Sequence, residues 1–241
     1  MRAINIRDIS EIMKYDHEFF DKVGSLTAIR QRNTGEFYRA NYERGLFLYY
    51  LVMKNDFITK AVELGTGRGY GSICICKAWD DKNEKWGYLD TIDVVPHNKP
   101  QPWLTKYGMQ TMTLKQLMEK AYPGCTKRIR FETGKTTMLK DKYLHESGFP
   151  AQLAYIDAGH TYEEVKGDWK HIHNVATDDA IYVFDDYKQN EFGVKKLIDK
   201  IKGYNKLLIY MDRQIFPEDR KNAKVDYGQV IVTKRKIKDI L

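Results

Sequence analysis

The chain has 241 residues, of which 42% are hydrophobic and 30% charged, and its formal net charge is +7. This length allows one buried α/β core, and the most apolar run, residues 45–53, is far shorter than the roughly 20 residues of a membrane span. Three cysteines, Cys74, Cys76 and Cys125, exclude a disulfide framework, and no signal peptide is evident, so we expect a reduced, cytoplasmic compartment.

The positive charge has two interpretations. It would suit an anionic partner, and residues 234–238 form the densest basic run. Lysines spread over exposed helix faces and an edge strand would instead keep the protein in solution and block pairing of sheet edges. We favour the second interpretation, so nucleic acid is not the expected partner, although charge alone leaves it open.

The first part of the chain predicts two or three helices between Ile9 and about Asn55. Its second half carries an amphipathic stripe, formed by Phe37, Asn41, Leu46, Tyr49, Tyr50 and Met53. Such a stripe favours packing against a core. We expect a single domain in which residues 1–57 form a helical cap or lid on a core of residues 58–241. The aromatic helices could also make a homodimer surface.

After residue 58, short apolar runs alternate with helical patterns, which is typical of a doubly wound parallel sheet. Seven strands are expected, at residues 61–64, 88–95, 128–132, 151–156, 180–184, 207–211 and 229–233. Helices are expected at residues 72–79, 112–121, 136–145, from 161 onward and at 192–201. The last two strands lack a helix between them, so the last should run antiparallel. The fold class is therefore α/β, a Rossmann-like, seven-stranded, mostly parallel sheet with N-terminal helices.

One connection stands out by its length. Residues 96–108 contain three prolines and predict a loop. Long loops in compact domains often carry function, so this loop and the N-terminal helices are candidates for the lid and the acceptor pocket.

The first predicted strand ends in Glu63 and breaks into a turn rich in glycine. The turn contains Gly65, Thr66, Gly67, Gly69, Tyr70, Gly71 and Ser72. Glycines at a strand-to-helix turn let the backbone approach a small ligand closely. A dinucleotide fingerprint would need glycine where Tyr70 stands, so the pattern is a different one.

Ligands of open α/β sheets bind at the carboxyl ends of the strands, and acids stand at four of the five strand ends considered. Asp93, at the end of the second strand, could accept two hydrogen bonds from a ribose diol. The alternative is a loop acid or helix cap, and the neighbouring glycine turn favours ribose binding.

Asp157, Asp185 and Asp186 end two strands that would be neighbours, about 4.8 Å apart. Carboxylates this close repel each other unless one is protonated or a cation lies between them. A hard divalent ion such as Mg²⁺ would fit. The alternative is that one acid caps a helix and another pairs with a lysine. His160 could be a general base or merely precede the next helix, and its position alone leaves both open.

Three segments, in order, resemble one family. Residues 155–169 look like the DADHxYExVxxD segment of the macrocin-type O-methyltransferases, relatives of the catechol and caffeoyl-CoA O-methyltransferases. Residues 183–196 resemble the HDY…GVxxA segment, and residues 63–72 are similar to the cofactor loop of class I S-adenosyl-L-methionine-dependent methyltransferases. Gly159 stands where the family has aspartate, and Asp185 stands where histidine is common.

The resemblance implies an S-adenosylmethionine-dependent methyltransferase. Glu63 and the glycine turn would hold the methionine part, Asp93 the ribose, and Thr133, Gly134 and Lys135 would flank the adenine. The matches to Asp157, Asp185 and Asp186 bind a divalent cation in the family, and the match to His160 is the base.

We therefore expect divalent-metal-assisted O-methylation of a small-molecule hydroxyl of sugar, polyketide or phenol type, with Asp157 and His160 as catalytic residues. The alternatives are an RNA methyltransferase of the same fold, a nicotinamide oxidoreductase, or a non-catalytic nucleoside-binding module.

Overall fold

A computed structural model of the protein describes residues 1–27, 42–136, 150–188, 193–211 and 227–241. The strands are β1 (Arg2–Asn5), β2 (Lys60–Leu64), β3 (Tyr88–Asp93), β4 (Gln101–Thr105), β5 (Gly108–Met112), β6 (Ile129–Thr133), β7 (Ala151–Ile156), β8 (Ala176–Lys188), β9 (Asn205–Tyr210) and β10 (Tyr227–Thr233). The α-helices are α1 (His17–Thr27), α2 (Tyr42–Lys54), α3 (Tyr70–Asp81), α4 (Leu114–Ala121), α5 (Tyr162–His173) and α6 (Gly193–Lys200).

The described part of the chain forms a main sheet in the order β1-β9-β10-β8-β7-β2-β3-β6. β10 runs antiparallel to both of its neighbours, and the other pairings in this sheet are parallel. The predicted Rossmann-like sheet with an antiparallel last strand is confirmed. The predicted number of seven strands was wrong, because Arg2–Asn5 adds an eighth at the edge, beside β9.

The helices cover both faces of the sheet. Side chains alternate between faces along a strand, so Ala61 joins the buried cluster that holds α1 to α4, and Val62 joins the cluster that holds α5 and α6. Phe47 and Tyr50 of α2 are fully buried in the first cluster. The N-terminal helices are thus packed into the same core as α3.

The connection after β3 departs from the prediction. The predicted loop at residues 96–108 contains a hairpin of β4 and β5, whose turn includes Gly108 at a φ of +90°. The predicted helix at residues 112–121 begins at Leu114, because Thr113 is its N-cap and forms a capping box with Gln116. Residues of β5 alternate between exposed and partly buried positions, and none is buried, so the strand signal in its sequence is weak.

Other predicted elements shift by a few residues at their ends. The second predicted strand ends at Asp93 instead of Val95, and the fifth extends over Ala176–Lys188. Residues 137–149 lie outside the described part, so the predicted helix at 136–145 falls there apart from its first residue. Among the described helices, none has the length and apolar character needed to cross a membrane.

Candidate active site

A cavity of about 670 Å³ opens at the carboxyl ends of the parallel strands, where the sequence places the predicted site. The residues that line it are Thr27, Arg44, Gly45, Leu48, Glu63, Gly65, Thr66, Gly67, Arg68, Tyr70, Gly71, Ile92, Asp93, Val94, Lys135, Thr136, Tyr155, Asp157, Ala158, Gly159, His160 and Glu164. Most of the predicted cofactor residues are therefore in one place. Among them, Gly69, Ser72, Thr133 and Gly134 do not line the cavity.

The glycine turn approaches the end of β7 very closely. Gly65 has a φ of +93°, and a Cβ atom there would lie 2.1 Å from the carbonyl oxygen of Asp157. Gly69 has a φ of +81° and is the N-cap of α3. No other residue type fits at Gly65, because the side chain would collide with the backbone and the φ angle would be strained.

Glu63 lies beneath the turn and is buried. Its Oε2 accepts hydrogen bonds from the hydroxyl of Ser72 and, at 2.7 Å, from the hydroxyl of Thr91. Burial raises the pKa of the Glu63 carboxyl from 4.5 to about 7, although both hydrogen bonds act in the opposite direction. Glu63 thus ties the start of α3 to β3 and presents a carboxyl group of unusual basicity at the cavity.

Asp93 braces the same turn from β3. Its Oδ2 accepts a hydrogen bond from the Gly67 amide at 2.7 Å, and its Oδ1 accepts one from the Val95 amide at 2.8 Å. Because each carboxylate oxygen can accept two hydrogen bonds, these contacts leave capacity for a diol. The β6 end lies beside it, since the Gly134 amide donates to the Asp93 carbonyl at 2.8 Å.

Asp157 follows β7, whereas Asp185 and Asp186 lie inside β8, near its carboxyl end. These acids surround a residue that the sequence did not single out. Arg44 of α2 donates from Nη1 to Asp185 Oδ2 at 2.8 Å and from Nη2 to Asp186 Oδ1 at 2.9 Å. Burial acts to lower the pKa of the Arg44 guanidinium, but Asp185, Asp186 and Asp157 raise it above its ordinary value. Arg44 is therefore a permanent cation inside the acidic cluster. Its sequence signal was weak: one charge just before a long apolar run.

Asp185 is the most deeply enclosed of the three acids. Besides Arg44, the Tyr155 hydroxyl donates to its Oδ2, and the Asp186 amide donates to its Oδ1 at 2.7 Å. The Tyr155 hydroxyl also lies 3.1 Å from Asp157 Oδ2. Burial raises the pKa of Asp185, and Arg44 opposes that change. Asp185 and Asp186 do not line the cavity, whereas Arg44, Tyr155, Asp157 and His160 do.

His160 stands at the cavity and contacts Asp186. Its Nε2 lies within hydrogen-bond range of Asp186 Oδ2, and its side chain is 40% exposed. The Gly193 amide at the start of α6 donates to the His160 carbonyl at 2.7 Å, which fixes the backbone here. Asp186 has a φ of +53°, a conformation that non-glycine residues rarely adopt. The arrangement is a histidine–carboxylate pair facing a cavity.

Asp168 is a second residue to which the sequence alone assigned no role. It is fully buried in α5 and accepts hydrogen bonds from the Thr136 hydroxyl and the Gly159 amide. Burial raises its pKa to about 6. It joins the end of β6 to the loop that carries His160. The signal for it was present, because Asp168 is the last acid of the segment that resembles the O-methyltransferases.

The predicted metal ligands do not fit a shared divalent ion. Asp185 is occupied by Arg44, Tyr155 and the Asp186 amide, and the guanidinium charge lies between Asp185 and Asp186. Within the described residues, ligand atoms of Asp157, His160 and Asp186 do lie within 4.8 Å of one another. That set lacks Asp185 and includes the predicted base.

Comparisons with known proteins show the family and support the fold. The family model described as a methyltransferase domain matches residues 62–187. No curated protein sequence matches the chain. The fold is similar to that of an O-methyltransferase from Bacillus cereus solved in complex with SAH, at 14% identity and a TM-score of 0.56 over 95% of this chain and 96% of that one.

Two further structures share the fold. The O-methyltransferase TomG from Streptomyces achromogenes, involved in tomaymycin synthesis and solved in complex with SAM, is 13% identical, with a TM-score of 0.58 over 95% of this chain and 96% of that one. CalS11, a TDP-rhamnose 3′-O-methyltransferase of calicheamicin biosynthesis, is 16% identical, with a TM-score of 0.55 over 80% of this chain and 78% of that one. At these identities, the likeness concerns the fold.

Proposed function

The chain belongs to the methyltransferase-domain family, and from this premise we propose that it transfers the methyl group of S-adenosylmethionine to a hydroxyl oxygen of a small molecule. One observation carries the proposal. His160, which pairs with Asp186, lines the same cavity as the glycine turn and Asp93. The candidate base and the turn that would bind the nucleoside therefore lie in the same cavity.

The cofactor side of the cavity suits S-adenosylmethionine. Asp93 would accept hydrogen bonds from the ribose hydroxyls, and Glu63 with the glycine turn would hold the methionine part, whose carboxylate would lie near the positive end of α3. Lys135 lines the cavity and would flank the adenine, whereas Thr133 and Gly134 would act through the backbone that leads to it. TomG and the Bacillus cereus enzyme, solved with SAM and SAH, support this proposal.

The acceptor is a small molecule. A cavity of about 670 Å³ falls within the range of about 300–1,000 Å³ that is common for small-molecule sites. Sugar, polyketide and phenol hydroxyls fit the proposal, and the TDP-rhamnose substrate of CalS11 supports the sugar class. A cytoplasmic location and a homodimer remain predictions.

The reaction needs a base and a fixed geometry. When bound, the cofactor supplies an electrophilic methyl group on sulfur. His160 removes the proton of the acceptor hydroxyl, and the negative Asp186 stabilises the imidazolium that results. The hydroxyl oxygen gains the methyl group as the bond between that group and sulfur breaks, which leaves the demethylated thioether. Asp157, beside His160, helps to orient the acceptor, and holding the reactants in contact supplies much of the rate.

The divalent cation expected from the resemblance has no part in this mechanism, because Asp157, Asp185 and Asp186 do not fit a shared ion.

The test of the proposed function is direct. Calorimetry with S-adenosylmethionine, S-adenosylhomocysteine, NAD and a short RNA should give heat with the first two ligands alone. Incubation with isotopically labelled S-adenosylmethionine and a panel of nucleoside-diphosphate sugars, phenols and hydroxylated polyketides should transfer label to oxygen in at least one compound. No heat with either sulfur ligand, or label found only on RNA, would contradict the proposal.

A further inference from the structure

Three acids lie together near the carboxyl ends of β7 and β8, and two of them are almost fully buried. The side chains of Asp185 and Asp186 are 0% and 7% exposed, and Arg44, which is 8% exposed, pairs with both. Buried carboxylates are costly unless a positive charge and hydrogen bonds compensate them. Arg44 supplies that charge from an N-terminal helix that lies 141 residues away in the sequence.

The hydrogen bonds of Asp185 leave little room for a metal ion. Its Oδ2 accepts from both Arg44 and Tyr155, which fills the two acceptor positions of that oxygen. Its Oδ1 accepts from the Asp186 amide. A divalent ion shared by Asp185 and Asp186 would therefore have to displace the guanidinium, or lie beside it and be repelled by it.

The same guanidinium also fixes the carboxylate that faces the histidine. Arg44 holds Asp186 Oδ1, while Asp186 Oδ2 faces His160 Nε2. Contacts on opposite oxygens set the plane of the carboxylate. The unusual φ of Asp186, +53°, is thus held by contacts on its side chain and on its amide.

We propose that Arg44 is the resident cation of this site, in the place of the divalent ion predicted from the resemblance. Arg44 neutralises the paired acids of β8 and positions Asp186 against His160, so methyl transfer proceeds without added metal. The statement about turnover rests on the proposed function, whereas the statement about cation binding does not.

The first test measures metal binding on the wild-type protein. Mn²⁺ is titrated into the protein with S-adenosylhomocysteine present, and free Mn²⁺ is followed by electron paramagnetic resonance. Wild type should bind Mn²⁺ no more tightly than about 1 mM, the weak end of the range for protein sites of hard cations. Binding much tighter than this, with loss of methyl transfer on chelation, would overturn the proposal.

The second test removes the guanidinium. Arg44→Gln leaves the acids without their cation, so its Mn²⁺ affinity should rise by roughly tenfold or more. Mn²⁺ should also raise the melting temperature of this variant and not that of wild type. Arg44→Lys keeps the charge and should gain no such affinity.

The matched control is Arg130→Gln. Arg130 pairs with the buried Asp90 at 2.8 Å, and neither residue lines the cavity; Lys60 also faces Asp90 at 3.5 Å. This variant should lose stability without any rescue by Mn²⁺. Equal rescue of both variants, or none of Arg44→Gln, would overturn the proposal. If Arg44→Gln does not fold, the wild-type titration and Arg44→Lys decide the question.

Failures of the two proposals are distinguishable. If a chelator abolishes methyl transfer and Mg²⁺ restores it, the proposed role of Arg44 is wrong and the proposed methyltransferase function stands. If no methyl transfer is detected but the Mn²⁺ titrations give the expected results, the proposed function is wrong and the proposed role of Arg44 stands.

Discussion

The carboxyl group of Glu63 should make the stability of this protein depend on pH in a way that one substitution removes. Its pKa rises from 4.5 to about 7 on folding, because the group is buried. A group whose folded pKa is raised contributes stability below its unfolded pKa, and that contribution is lost as pH rises through the folded value. The loss is about 1.4 kcal/mol for each pH unit between the unfolded and the folded pKa and levels off near each of these values. Between pH 5 and pH 8 it amounts to about 2.5 kcal/mol.

Glu63→Gln keeps an oxygen that can accept from Ser72 and Thr91 and removes the titration. Denaturant unfolding of both proteins at pH 5, 6, 7 and 8 measures the effect as a difference in the free energy of unfolding. The variant should gain about 2.5 kcal/mol relative to wild type across that range.

The control is Glu164→Gln. The Thr161 hydroxyl lowers the pKa of Glu164, so this carboxylate stabilises the fold above its unfolded pKa and loses that contribution as the pH falls. The effect of the control should be small and opposite in sign, because Glu164 is exposed. If the curves of Glu63→Gln and wild type are parallel, Glu63 titrates normally and the reasoning about its burial is wrong.

Three further predictions follow from the site. His160→Gln should lower kcat by about 10²–10⁴ because the base is lost, while the calorimetric affinity for S-adenosylhomocysteine stays unchanged; equal kcat values would remove His160 from the mechanism. Asp93→Ala should weaken S-adenosylhomocysteine binding by about 10–100-fold, since hydrogen bonds to a charged group are lost; unchanged calorimetric affinity would rule out its ribose contact. Gly65→Ala should lower the free energy of unfolding by at least about 2 kcal/mol, because its Cβ would lie 2.1 Å from the Asp157 carbonyl oxygen. Gly67→Ala is the control and should cost about 1 kcal/mol, because a Cβ there meets nothing within 4 Å. Equal costs in denaturant unfolding would show that the close approach carries no strain.

Features that depend on residues close together in the sequence could be predicted. The glycine turn follows directly from β2, and the capping box of Thr161 with Glu164 opens α5 as expected. The strand ends were also predictable, because alternation of strands and helices brings the carboxyl ends of parallel strands to one edge. Glu63, Asp93, Asp157 and His160 accordingly lie on one cavity.

Features that join distant segments could not be predicted. β1 is four residues long and gains its identity by pairing with β9, some two hundred residues later. The sequence of the β4–β5 hairpin predicted a loop, because three prolines and exposed side chains obscure the alternation of apolar and polar residues. Short segments of this kind are decided by their partners, since local preference contributes too little free energy to choose.

The sequence alone determined the class of fold, the glycine turn after β2 and the acids near the strand ends, because each depends on local backbone preference and on strand order. Only the tertiary structure decided which cation meets those acids. Arg44 lies 141 and 142 residues from Asp185 and Asp186, and a charge in a helix carries no local mark of the carboxylates that folding will bring beside it.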